Sequence, residues 1–272
     1  MTRLLAKLAA EPPFRLLARE VLRRRRCDLR TRMRWDVSDR PWFLLGLGTA
    51  ALKAQAHGIS AITAVEFGVA SGQGLVALEQ EAQAIERETG VTIRVAGFDR
   101  GRGLPDFCGD YRDHPDYWQP GDFSMNVPAL TKRLRRAELV IGDIRDTAER
   151  LVTLTTEAPL GFVSVDVDLW SSSKDVLRAV TSPRVRRLLQ TPVYFDDIMP
   201  VIAHSGAGEL LAIAESNAET RTRVVIEPWR GVRWRRPFRD ADYLDKMFIL
   251  HDLQAISAVA LRRETRQLAL GA

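Results

Sequence analysis

The sequence predicts an α/β protein: a doubly wound, seven-stranded, mostly parallel sheet with an antiparallel last strand and an N-terminal helical extension. Three observations predict it. From residue 61 short apolar runs alternate with segments of helical periodicity, which is how a parallel sheet covered on both faces reads. The first run opens into a glycine-rich turn, VEFGVASGQG (65–74), and glycine costs chain entropy that only a special turn or a close approach offsets. The first five runs each end in carboxylates: Glu66, Asp99, Asp143, Asp166 with Asp168, and Asp196 with Asp197.

The elements follow in order. Residues 1–25 predict one or two amphipathic helices, broken at Pro12-Pro13. A helix from Trp42 to His57 closes on Gly58 as its C-terminal cap. Ile62 to Phe67 is a buried strand, after which Leu75, Leu78, Ala82 and Ile85 recur at helical spacing. Val91 to Phe98 is the second strand. Residues 100–135 carry Pro105, Pro115, Pro120 and Pro128, an irregular stretch of the length used for lids and binding segments. Strands at 139–142, 162–167 and 193–195 follow. A helix from about Thr147 separates the first two, and a helical segment interrupted at Ser182-Pro183 separates the second two. A helix at 209–217 precedes two last strands, 223–228 and 246–253, with no helical pattern between them, so they are expected to pair antiparallel. The expected organisation is a helical extension over 1–58 and one catalytic-type domain over 59–272.

With 46 % hydrophobic and 28 % charged residues, the chain reads as soluble and globular. No apolar run is long enough for a transmembrane segment. Lys7 and Glu11 interrupt the apolar N-terminus, so a signal peptide is not expected. Cys27 and Cys108 make no disulfide framework and fit a reducing, cytoplasmic location. Much positive charge gathers in the arginine-rich segment 22–34, within a net charge of +5. A patch for an anionic partner is one reading; a solvated helix face or a homodimer contact is the commoner meaning of such runs. Without regularly interleaved aromatics for base stacking, no nucleic-acid partner is expected.

In open parallel sheets, ligands bind beyond the carboxyl ends of the strands. A rim of carboxylates there calls for a cation or a hydroxyl-rich ligand, because crowded carboxylates repel. The glycine turn and the helix N-terminus after it can cradle a dinucleotide or a nucleoside-like methyl donor. Gly72-Gln-Gly74-Leu-Val-Ala77 fits the dinucleotide form G-x-G-x-x-A as well, and Asp99 is placed to hold ribose hydroxyls in either case. Asp166 and Asp168 share a strand face, while Asp196 and Asp197 end the next strand. Converging carboxylates of this kind suit Mg²⁺ or a similar hard cation, which a nicotinamide enzyme does not need.

The segments VEFGVASGQG, GFD followed by GLP (97–99 and 103–105), GDIRDT (142–147), DVDLWSSSKD (166–175) and FDD (195–197) occur in that order. Over about residues 62–200 the sequence therefore resembles class I S-adenosylmethionine-dependent methyltransferases of Rossmann-like fold. More narrowly, it resembles the macrocin O-methyltransferase family, metal-dependent enzymes that methylate sugar hydroxyls. The resemblance implies that Glu66, Gly68 and Gly72 shape the pocket for the methionine part of the donor, with Ala70, Ser71 and Gly74 in the same binding turn. It implies that Asp99 holds the ribose, that Asp143 sits near the adenine, and that Asp166, Asp196 and Asp197 bind the cation that clamps substrate hydroxyls. Arg100-Gly101-Arg102 stands where the family usually carries Ser-Phe-Glu, and Trp170 replaces a usual tyrosine, so the resemblance does not specify the acceptor.

The expected reaction is metal-dependent methyl transfer from S-adenosylmethionine to a hydroxyl of a small molecule, such as a sugar or natural-product intermediate. An NAD(P)-dependent oxidoreductase and a non-catalytic donor-binding scaffold are the alternatives. His204 and Lys174 are the candidates for general base. Arg100, Arg102, Tyr111, His114, Tyr117 and Trp118 are candidates to face the acceptor.

Overall fold

The computed structural model describes residues 14–25, 27–219, 223–234 and 236–259. The strands are β1 (Ala61–Phe67), β2 (Thr92–Asp99), β3 (Glu138–Ile141), β4 (Leu160–Val165), β5 (Gln190–Phe195), β6 (Val224–Pro228) and β7 (Met247–Asp252). They form one sheet in the order β3-β2-β1-β4-β5-β7-β6. β1 to β5 run parallel, and β7 lies antiparallel to both β5 and β6. The strand order reverses between β1 and β4, which places a crevice beyond their carboxyl ends.

Among the described residues the helices are α1 (Phe14–Arg24), α2 (Leu29–Arg34), α3 (Pro41–Ala56), α4 (Gln73–Thr89), α5 (Val127–Thr131), α6 (Ile144–Glu157), α7 (Trp170–Thr181), α8 (Gly208–Ala218) and α9 (Leu253–Ser257). The expected elements from residue 42 onward are present with ends shifted by a few residues. The break expected at Pro12-Pro13 lies outside the described residues. β5 starts earlier than its apolar core because Thr191 and Pro192 pair with β7 before β4 joins at Val193. Pro192 therefore lacks its N–H at a position where the parallel ladder has not begun.

α3 and α4 cover one face of the sheet through Phe43, Leu44, Leu47, Leu75 and Leu78. α6, α7 and α8 cover the other through Leu151, Val176, Leu177 and Ile213. α3 thus belongs to the same core as the strands. Its Gly46 lies against the Phe162 ring of β4, where a Cβ would overlap the ring. Pro41 starts α3, and Gly58 follows its last turn at φ +69°, the left-handed conformation that glycine adopts without steric cost.

Part of the arginine-rich segment is engaged within the chain, while Arg25, Arg30 and Arg34 are exposed. Arg23 and Arg19 pair with Asp39, Arg24 pairs with Glu20, and Arg32 reaches Glu81 and Glu88 of α4. Asp36, Arg236 and Tyr243 form a buried polar knot between this segment and the stretch before β7. No helix among the described residues is long and apolar enough to cross a membrane.

Candidate active site

The β1–α4 turn is held by protein contacts. Gly68 has φ +82°, and a Cβ there would overlap the backbone carbonyl of Asp166. The missing side chain is what lets the ends of β1 and β4 approach. A Cβ on Gly72 would strike Leu130, and one on Gly74 would strike the Glu66 carboxylate. The close approaches that demand these glycines are thus made by other parts of the chain. Only Gly68 and Ala70 of the turn line the cavity beyond the strand ends; Glu66, Ser71, Gly72 and Gly74 lie outside its lining.

Asp99 locks the turn from β2. Its Oδ2 accepts the N–H groups of Val69 (2.8 Å) and Ala70 (2.9 Å), and its Oδ1 accepts that of Gly101 (2.5 Å). Oδ2 is thereby filled, and Oδ1 keeps a lone pair for a ligand. Asp143 caps α6 by accepting the Arg145 N–H, and the Arg145 guanidinium grips it at 2.9 and 2.8 Å. That grip brings the Asp143 carboxyl down to about 2. Both aspartates line the cavity, whose floor is the stacked pair Phe67 and Phe98.

Three carboxylates converge at the ends of β4 and β5. Asp166, Asp196 and Asp197 each offer an oxygen, all within 4.8 Å of one another. Asp168 is not in this trio, although the sequence grouped it there. It adopts φ +63°, so its side chain departs from the strand alternation on which that grouping rested, and its N–H donates to Asp197 Oδ2 at 2.8 Å. Asp168 itself lines the cavity beside the trio. Burial, with Asp166 and Asp196 nearby, raises the Asp168 carboxyl to about 7.

Burial first, and mutual repulsion second, push the carboxyls of Asp166 and Asp197 well above their ordinary range. The nearest lysine, Lys246, donates to the Asp196 carbonyl and stands 3.9 Å from its carboxylate. Arg40 is a second cation acting on Asp166, and one lysine with one arginine does not balance the trio together with Asp168. The trio, all hard oxygen donors, therefore fits a divalent cation such as Mg²⁺.

The cavity enclosed by these groups holds about 440 Å³, within the range of small-molecule sites. The segment after β2 covers it with Leu104, Pro105, Trp118 and Phe123. Arg100 lines it; Arg102 lies exposed outside its lining, as do Tyr111 and Tyr117. His114 is buried edge-on against His204, ring centroids 5.6 Å apart. Neither general-base candidate lines the cavity among the described residues: His204 belongs to that ring pair, and Lys174 is held by Glu215 at 3.0 Å over the Trp170 ring.

Two residues with clear local roles escaped the sequence reading. Asp113, fully buried, accepts hydrogen bonds from the Cys108 N–H and from the Ser171 N–H and hydroxyl, clasping the covering segment to α7. Glu209, at the start of α8, sits behind the trio and accepts the Asp197 N–H at 3.0 Å. No local pattern marks either one, since each acts through a contact distant in sequence or across an irregular loop.

No family profile and no curated protein matches this sequence. Among solved structures, the chain is similar to the calicheamicin methyltransferase CalS11, with a TM-score of 0.53 and 20 % identity over 89 % of this chain and 93 % of that one. An apo structure of CalS11, described as a TDP-rhamnose 3'-O-methyltransferase, gives a TM-score of 0.46 and 18 % identity over 87 % and 92 %. The mycinamycin-pathway methyltransferase MycE, solved with Mg, SAH and mycinamycin VI, gives 0.37 and 11 % identity over 75 % of this chain and 48 % of that one. The first likeness extends over nearly the whole of both chains and establishes the fold: this is the Rossmann-like fold of class I methyltransferases.

Proposed function

We propose that the chain is an S-adenosylmethionine-dependent O-methyltransferase that uses a divalent cation and methylates a hydroxyl of a small, hydroxyl-bearing natural-product intermediate. The observation that carries this reading is one cavity with two chemically distinct ends. Asp99 and Asp143 line it beyond β2 and β3, and Asp166, Asp196 and Asp197 line it beyond β4 and β5, with Gly68 and Ala70 of the turn after β1 between them. The first end suits a nucleoside-like donor, with carboxylate acceptors for hydroxyl groups and an aromatic floor. The second suits a cation with oxygen ligands of the acceptor. That the fold is shared with a calicheamicin methyltransferase supports the same reading.

The donor supplies an electrophilic methyl group, which passes to the acceptor oxygen as the carbon–sulfur bond breaks and the oxygen–carbon bond forms. A divalent cation held by Asp166, Asp196 and Asp197 would supply Lewis acidity that lowers the pKa of the acceptor hydroxyl. The chain's own residues orient both partners. Asp99 sets the turn beside the donor, and Trp118 with Leu104 excludes water from the cavity. Asp168, facing the cavity beside the trio, is the carboxylate we assign to take the hydroxyl proton. Asp168→Asn is then expected to lower the turnover rate by about 10²–10⁴-fold while S-adenosylhomocysteine binding stays unchanged. An unaltered rate overturns the assignment.

The decisive test of the whole reading is calorimetric titration of S-adenosylhomocysteine into the protein with Mg²⁺ present and absent. A dissociation constant on the order of micromolar, about −8 kcal/mol, is expected. Absence of binding by folded protein overturns the methyltransferase reading, and titration of NAD would then test the dinucleotide alternative.

A further inference from the structure

Glu209 is buried to 2 % exposure, and no described donor reaches its Oε1. Its other oxygen accepts the backbone N–H of Asp197. A buried carboxylate oxygen without a partner is costly, and here it lies among residues that are already negative. A glutamine would accept the same N–H without adding charge. What the glutamate supplies beyond the hydrogen bond is negative charge behind the trio, and that is useful only when a cation occupies the trio.

We propose that Glu209 is a positioning residue for the cation site: through the Asp197 N–H it fixes the end of β5, and its charge strengthens the hold of the three ligands on a divalent ion. Tyr194 plays the matching part for the neighbouring ligand, donating its hydroxyl to Asp196 Oδ1 at 2.6 Å. The two outer partners approach from different elements, α8 and β5. Groups of this kind, one shell out from the ligands, set ligand orientation, and their loss typically weakens metal affinity about 10–100-fold. The inference rests on the divalent-cation reading of the site.

The test is direct binding of Mn²⁺, followed by electron paramagnetic resonance of the free ion, to wild-type protein and to Glu209→Gln, Glu209→Ala and Asp197→Asn. Melting temperatures of the metal-free proteins are measured alongside. Affinity is expected to fall in the order wild type, Glu209→Gln, Glu209→Ala, with about 10–100-fold separating the first from the last. Glu209→Gln should meanwhile leave the metal-free melting temperature unchanged or raised, since it removes a buried unpaired carboxylate. A merely structural role would instead lower the melting temperature and leave the affinity of the folded protein untouched. If Glu209→Ala does not fold, Glu209→Gln carries the test by itself. Wild-type affinity in Glu209→Gln overturns the role of Glu209 and leaves the cation site standing. Failure of the wild-type protein to bind Mn²⁺ overturns both.

Discussion

A single methyl group distinguishes glycine from alanine, and at position 68 that methyl would occupy the space of the Asp166 carbonyl. Gly68 also needs φ +82°, where an alanine is strained by about 1–3 kcal/mol. Gly68→Ala is therefore expected to destabilise the protein by about 3 kcal/mol or more in urea unfolding, because overlap with backbone adds to the strain. The substitution also pushes apart β1 and β4, so donor binding is expected to weaken in the protein that remains folded. A change below about 0.5 kcal/mol would show that the two strand ends do not meet as described. Glu66 belongs to the same scale. Burial, and then Asp166, raise its carboxyl well above the ordinary range, and Gly74 leaves the room it occupies. The carboxylate at 66 and the glycine at 74 form one packed unit eight positions apart.

At the scale of elements, the segment between β2 and α5 is tied down at few points. Asp113 bonds to Cys108 on its own side and to Ser171 on α7, and Arg112 lies over the Trp170 ring at 4.0 Å. Asp113→Ala removes the clasp while leaving the sheet cores intact. It is expected to speed limited proteolysis within residues 104–123 at least severalfold, with the unfolding midpoint changed only slightly. Cleavage at the wild-type rate would place the restraint elsewhere. The irregular, proline-bearing character of this segment was legible in its sequence, and so was its position over the site. Which of its side chains face inward was not. Trp118 lines the cavity whereas Tyr111 and Tyr117 do not, and without a period of 2 or 3.6 an irregular chain gives no rule for that choice.

For the whole molecule, the carboxylates gathered at the crevice govern how stability responds to pH. Asp166, Asp168, Asp197, Glu66 and Glu209 all have folded-state pKa values above the ordinary carboxylate range. Through these five groups the folded protein binds more protons than the unfolded chain between the usual carboxylate pKa of about 4 and the value of about 7 for Asp168, outnumbering the opposite contribution of His114 and His251, whose pKa values burial lowers. Stability of the metal-free protein falls as pH rises through that window. Its melting temperature is expected to be higher at about pH 5.5 than at about pH 8. On the proposed reading, Mg²⁺ held by the trio would compete with those protons and relieve the repulsion, so it is expected to raise the melting temperature more at the higher pH. Scanning calorimetry with and without Mg²⁺ measures both; a metal-free melting temperature that rises over this interval would overturn the account of the cluster.

Period and punctuation determined the sheet. Alternating apolar runs and helical spacings marked the successive strands, and the absence of helical spacing before the last strand marked its reversal, because burial on a face imposes those periods locally. The carboxyl-end aspartates were visible for the same reason, as the residues at which each apolar run stops. Tertiary structure alone decided the partnerships: that Asp166, but not Asp168, joins Asp196 and Asp197; that Asp99 binds the glycine turn; that Asp113 bonds to Ser171 and Glu209 to the Asp197 N–H. These depend on contacts between segments distant along the chain, and on a left-handed backbone at Asp168. Local sequence periodicity carries information about which face a residue takes, whereas the identity of its neighbour across the crevice is set only when the strands and their loops have packed.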